Sequence, residues 1–241
     1  MGCDEFRFKR FTVNQSGCAM KVGTDGALLG AWCGAARDDW RRVLDVGTGT
    51  GLIALMAAQR FPSARVDAID IVPESCRCAA ANFAASPWGD RCRVWRASLQ
   101  EYAASGERYD LIVSNPPYFV GSLLCPDASR TAARHTASLS HAELAAGAAA
   151  LLEPGGRLAV ILPPEESRRF VAEAVGAGLC PVRETAVRTV PRKPPRRVMT
   201  ELVKGEPPCG VERSELAVEC APGVWSDGYR ALMRDFYLKI E

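Results

Sequence analysis

The residues best suited to chemistry are Ser114-Asn115-Pro116-Pro117-Tyr118. Two adjacent prolines alone read as a rigid turn. An amide before them and an aromatic ring after them suit a particular task. The exocyclic amine of adenine is a poor nucleophile because its lone pair is delocalised into the ring. The side-chain oxygen of Asn115 and the carbonyl of Pro116 can each accept one of its N–H groups. That draws the nitrogen toward a tetrahedral form and aims its lone pair at an electrophile. Proline has no N–H to compete, and its fixed φ holds the carbonyl still. Tyr118 offers a face for a planar group, and such stacking is worth about 1–3 kcal/mol per base. Catalysis of this kind is alignment and electrostatics, with no general base of shifted pKa.

A second cluster is Asp45-Val46-Gly47-Thr48-Gly49-Thr50-Gly51. Glycines let a backbone turn tightly and approach a ligand closely. Gly49, Gly51 and Ala54 satisfy the dinucleotide fingerprint G-x-G-x-x-A, a weak match taken alone. Asp45 points elsewhere, because a carboxylate there suits the ammonium of a methionyl group and repels a pyrophosphate. Asp70 closes the next strand, where a carboxylate accepts from both hydroxyls of a ribose. These residues favour S-adenosylmethionine as the cofactor.

Charge is unevenly placed. The 241 residues carry a net charge of +2, yet the window from Arg183 to Lys204 carries +5 and the remainder −3. Pro191, Pro194 and Pro195 interrupt that window, so it reads as an exposed loop between strands. Its Arg188, Arg192, Lys193, Arg196 and Arg197 are candidates for contact with a polyanion. Arg130, Arg134 and His135 suit either RNA phosphates or solvated surface. Phe6-Arg7-Phe8-Lys9-Arg10-Phe11 interleaves rings and cations as single-strand binders do, but a strand with one packed face explains it better.

Other classes are excluded or unsupported. Hydrophobic residues at 48% and charged residues at 24% describe a globular chain. The start, Met1-Gly2-Cys3-Asp4-Glu5, has no apolar core, so no secretory signal is expected. No apolar stretch is long enough to span a membrane. The ten cysteines and two histidines show no zinc spacing. Free thiols, no metal, no membrane and a cytoplasmic location are expected, with the chain acting as a monomer.

The elements that must position these groups alternate. Apolar runs at 43–46, 65–71, 92–95, 109–114 and 157–162 read as strands. Helices fit 24–33, 50–60, 73–85, 140–152, 165–177 and 229–236, with Thr24 or Asp25 near the first N-cap. The segments 181–190 and 197–203 lack a helix between them and should pair antiparallel. Residues 205–215 read as irregular. The pattern predicts an α/β, doubly wound, mostly parallel sheet of seven strands with an antiparallel late strand. One domain is expected over 1–241. Residues 1–42 form an extension over the cleft, 43–204 the core, and 205–241 a segment packed on it.

The glycine loop together with Asn-Pro-Pro-Tyr resembles the class I, Rossmann-like amino-methyltransferases. The stretch Cys18 to Trp32, Ser86-Pro87-Trp88, Arg130 with Arg134, and Phe236-Tyr237-Leu238 are similar to one subfamily, the bacterial tRNA(Val) adenine-37 N6-methyltransferases. The resemblance covers nearly the whole chain. It implies methyl transfer from S-adenosylmethionine to N6 of an adenine in tRNA. It places Lys21, Thr24 and Asp25 by the cofactor's methionine end, and Asn115, Pro116, Pro117 and Tyr118 around the target base. Where relatives carry Asp against the cofactor adenine, this chain has Ser98, whose hydroxyl can still hydrogen-bond. Alternatives are a protein-glutamine methyltransferase of the release-factor type, a DNA adenine methyltransferase and a non-catalytic RNA-binding module. The first carries a helical substrate domain before its first strand, whereas only 42 residues, basic and aromatic in part, precede Val43 here. A DNA enzyme usually needs a recognition domain, and no span is free to form one.

Overall fold

Val43 and Leu44 are both fully buried, one on each face of a strand. That alternation, without a solvent face, is what a parallel sheet covered on both sides requires. A computed structural model describes residues 4–18, 21–117, 139–206 and 210–240. The core strands are β3 (Arg42–Val46), β4 (Arg65–Asp70), β5 (Cys92–Arg96), β6 (Tyr109–Ser114) and β7 (Leu152–Leu162). β8 (Leu179–Arg188), β9 (Arg197–Lys204) and β10 (Glu212–Ala217) complete one sheet in the order β10-β8-β9-β7-β6-β3-β4-β5.

The sheet therefore has eight strands, not seven. Residues 212–217, the first four of them in the stretch that reads as irregular, pair parallel with β8 from Glu212 opposite Arg183 to Ala217 opposite Arg188. Glu212 to Glu215 are polar and exposed and only Leu216 and Ala217 are half-buried, so no hydrophobic alternation marks this edge strand. β9 runs antiparallel to both β7 and β8, as a hairpin between β8 and β9 demands.

Helices cover both faces. α1 (Thr24–Trp32), α2 (Leu52–Arg60) and α3 (Pro73–Ala84) pack on one side. α4 (Leu99–Ala103), α5 (His141–Leu151) and α6 (Pro164–Gly176) pack on the other. α1 and α2 approach closely at Gly30, where a Cβ would lie 2.8 Å from Met56 Sδ. The N-cap of α1 is Gly23, with Thr24 and Asp25 directly after it in the first turn. β1 (Glu5–Arg7) and β2 (Thr12–Asn14) form a hairpin, which Asn82 on α3 ties down through the N–H and carbonyl of Asn14. β11 (Glu219–Ala221) and β12 (Val224–Trp225) make a small ribbon before α7 (Asp227–Met233), which lays Tyr229 and Met233 into the α1 face.

Cysteines depart from expectation at one place: Cys18 is disulfide-bonded to Cys78, on α3. Cys33, Cys76, Cys92, Cys180 and Cys220 are free thiols. Among the described residues no helix is long and apolar enough to cross a membrane. Nor do they hold a group of three His, Cys, Asp or Glu arranged for a metal ion.

Candidate active site

β3 lies between β4 and β6, all parallel, so the chain leaves β3 at a point where its neighbours diverge. Ligands of open α/β sheets bind in that crevice. Val46 stands opposite Ser114, and Ser114 Oγ donates to Val46 O at 2.9 Å. The Asn-Pro-Pro segment thus begins hydrogen-bonded to the strand that feeds the glycine loop.

A cleft of about 880 Å³ opens there. Gly47, Gly49 and Asp70 line one wall, Asn115, Pro116 and Pro117 another, and Lys21, Thr24 and Asp25 a third. Ser98 lines it too. Asn115 is half-buried, Pro116 buried and Pro117 exposed. Residues far apart in sequence are brought to one space by the sheet edge. Tyr118, Arg130, Arg134 and His135 lie outside the described residues.

The glycine loop is held by backbone bonds. Gly47 and Thr48 N–H both donate to Ile69 O. Gly49 N–H donates to Asp70 Oδ2 and Val72 N–H to Asp70 Oδ1, each at 2.9 Å. Each oxygen of Asp70 keeps a second lone pair able to accept, and the residue lines the cleft. Gly49 and Gly51 have φ of +56° and +82°, the left-handed region that side chains disfavour. A Cβ at Gly51 would also sit 2.6 Å from Phe83, so this glycine serves helix packing behind the wall rather than the cleft.

Asp45, expected beside a cofactor ammonium, lies beneath the loop and does not line the cleft; it is 1% exposed. Its Oδ2 accepts from Thr48 Oγ1 at 2.6 Å and from Ala54 N at 3.2 Å. Its Oδ1 is buried with no hydrogen-bond partner. Burial pushes the carboxyl up to about 7, against the lowering effect of the Thr48 and Ala54 hydrogen bonds.

Ser98 caps α4. Its hydroxyl accepts from Glu101 N and donates to Glu101 Oε2 at 2.8 Å, a reciprocal capping box. Its donor is therefore committed within the protein. Neighbouring wall residues that sequence reasoning missed are Ile71 and Val72, exposed apolar groups, and Gln100 with Glu143. Hydrogen bonds from Ser140 hold the Glu143 carboxyl below the usual range, and Gln100 adds another. Ile71 had a signal, an apolar side chain directly after the acidic end of a strand; Gln100 and Glu143 meet only through packing.

The basic segment includes the connection between β8 and β9, residues 189–196. Val198 pairs with Leu162 at the end of β7, so the hairpin tip sits on the same sheet edge as the cleft. Arg192, Lys193 and Arg196 are exposed. Arg188 instead pairs with Glu215 at 2.7 Å and donates to Lys193 O, bracing the hairpin. Arg197 Nε donates to Asp25 Oδ2 at 2.7 Å, joining hairpin to cleft wall.

Comparison with known proteins agrees with this geometry. The family model described as Methyltransferase small domain matches residues 35–176. A protein of Parabacteroides distasonis named tRNA1(Val) (adenine(37)-N6)-methyltransferase is 47% identical over 98% of both chains. One of the same name from Trichodesmium erythraeum is 43% identical over 99% of this chain and 100% of its own. Among solved structures, a predicted O-methyltransferase from Agrobacterium tumefaciens shares the fold with a TM-score of 0.68 at 18% identity, covering 88% of this chain and 96% of that one. TrmN from Thermus thermophilus superposes with a TM-score of 0.54 at 25% identity over 74% of this chain and 48% of its own. By sequence and by fold, this chain belongs to the methyltransferase small domain family and, within it, to the tRNA1(Val) (adenine(37)-N6)-methyltransferases.

Proposed function

We propose that this protein transfers a methyl group from S-adenosylmethionine to N6 of adenine 37 in the anticodon loop of a tRNA(Val). The observation that carries the reading is the meeting of Gly47, Gly49 and Asp70 with Asn115 and Pro116 around one cleft. Close relatives of that name over nearly the full chain support the choice of substrate.

The residues present fit the cofactor. A Cβ at Gly47 or Gly49 would meet nothing within 4 Å, so the glycines leave room beside the backbone. Asp70 offers acceptors for the ribose hydroxyls. The partnerless Oδ1 of Asp45 lies below the loop, where a cationic ligand would favour the ionised form of a carboxyl that burial otherwise holds protonated. When bound, S-adenosylmethionine supplies an electrophilic methyl on a positively charged sulfur.

Asn115 and Pro116 do the rest. The Asn115 side-chain oxygen and the Pro116 carbonyl accept the two N–H groups of the adenine amine, so its lone pair faces the methyl group. Tyr118 stacks on the base, which must be swung outward to enter. The amine nitrogen would take the methyl as the sulfur–methyl bond breaks with its electron pair left on sulfur, and the positive nitrogen would then lose a proton to water. Arg192, Lys193 and Arg196 contact phosphates on the cleft side, and Arg130 and Arg134 are further candidates for that contact. The N-terminal β1–β2 hairpin and α1 leave no helical substrate domain among the described residues, which favours RNA over a peptide loop.

The test mixes protein, labelled cofactor and unmodified tRNA(Val), then identifies the product nucleoside by mass. N6-methyladenosine at position 37 is expected. Asn115→Ala should lower kcat by about 10²–10³, as loss of one aligned polar group does, with cofactor affinity retained. Full activity in that variant, or no transfer to adenine by wild type, ends this reading.

A further inference from the structure

The interleaved run from Phe6 to Phe11 turns its rings inward. Phe8 and Phe11 are buried and stacked at 4.5 Å, which leaves Lys9 and Arg10 outside. Lys9 N–H donates to Phe236 O at 2.7 Å and Lys9 Nζ to Arg234 O at 2.6 Å. These bonds stitch the N-terminal hairpin to the C-terminal segment and bring Arg234 alongside. Arg60, at the end of α2, lines the groove while donating to Gly30 O and Cys33 O, and Arg37, lying 4.0 Å over the Trp40 ring, pairs with Asp39 and Asp110. The five cations border a groove of about 790 Å³. Two carboxylates, Asp38 and Asp235, share its lining.

This groove is at the opposite sheet edge from the cleft. α2 starts behind the glycine loop and ends at Arg60, and nine helical residues rise about 14 Å. We propose that the groove is a second RNA contact, which grips the phosphate backbone of the substrate at a distance from the target base. The proposal rests on the reading that RNA is the substrate. Arginine presents a planar fork that matches phosphate. A protein partner requires an apolar centre to its interface, and the apolar side chains here are only Ala35 and the buried Phe61.

The test is the double variant Arg10→Ala/Arg234→Ala, with labelled unmodified tRNA titrated at roughly 50 to 200 mM salt. The expected result is about tenfold weaker tRNA binding and a slope of log K against log salt shallower by about two, one per lost phosphate contact. Calorimetric affinity for S-adenosylmethionine and kcat should stay at wild type, and Arg10→Lys/Arg234→Lys should restore the salt slope but only part of the affinity, because lysine keeps the charge without the fork. A loop oligonucleotide too short to leave the cleft should bind both proteins alike. If the alanine variant melts early, Arg10→Gln/Arg234→Gln carries the same readouts. Unchanged tRNA affinity and salt slope in a folded variant overturn the proposal, as does an equal loss on the short oligonucleotide. Loss of polyglutamate binding with tRNA binding intact also overturns it and assigns the groove to an acidic protein. Should wild type bind tRNA through the groove yet methylate no adenine, the reaction assigned above fails while this contact stands.

Discussion

At the residue scale, Asp45 has the environment with the clearest consequence. A carboxylate 1% exposed, with one oxygen unpaired, resists ionisation, and its pKa is pushed up to about 7 by burial. A folded-state pKa above the ordinary value contributes stability at low pH, which is lost as pH rises through the folded pKa. The loss falls between about pH 4 and 7 and is on the order of 4 kcal/mol. Urea unfolding should therefore show stability declining over that window in wild type and a flatter profile in Asp45→Asn. A bound cation favours the ionised form. Cofactor affinity should accordingly strengthen as pH rises toward 7, and calorimetry should find that trend weakened in Asp45→Asn. Asp70 differs because two backbone N–H groups satisfy it and it is only half-buried. The same residue type thus does different work a few ångströms apart.

At the element scale, two short contacts shape the cleft wall. The capping box of Ser98 and Glu101 starts α4 and turns the chain from β5 past the cleft. Ser98→Ala should lower stability by about 1 kcal/mol, the usual cost of an N-cap, and change cofactor affinity less than about threefold. A large loss of affinity with unchanged stability would instead assign the hydroxyl to the cofactor. The Arg197–Asp25 pair links the β8–β9 hairpin to the first turn of α1, with each side chain about a quarter exposed. Arg197→Ala should weaken cofactor and tRNA together, because Asp25 lines the cleft. Arg192→Ala/Lys193→Ala should raise KM for tRNA alone. Steady-state kinetics with each substrate varied in turn separates the two outcomes.

At the scale of the whole molecule, the antiparallel strands are tied to the cofactor half by a buried charge. Glu201 is fully buried on β9. It accepts from Gly34 N at 3.1 Å and lies 3.3 Å from Arg157 and 3.4 Å from Arg183. Arg183 in turn stacks 3.7 Å over the Trp32 ring, and burial lowers its pKa. Glu201→Ala leaves two cations without their shared partner and should cost about 3–5 kcal/mol in chemical unfolding, since an unpaired buried charge is poorly tolerated. Nothing in the sequence marks Glu201, which reads as one of two acids inside the basic window. β10 was hidden for a related reason, since its Arg213, Ser214 and Glu215 find their partners Glu184, Thr185 and Arg188 only once it lies beside β8. By contrast, the strand–loop–helix units, the glycine loop, Asp70 and the Asn-Pro-Pro turn were legible, because each is written in residues adjacent along the chain. Periodicity, turn chemistry and helix capping act over a few residues, so the sequence alone determined those elements and the reaction class they suit. Which charges neutralise one another, that Asp45 lies under its loop, and that the two termini close a basic groove follow only from packing elements distant in the chain. Such contacts depend on strand order and register, and these are settled by the energy of the assembled sheet.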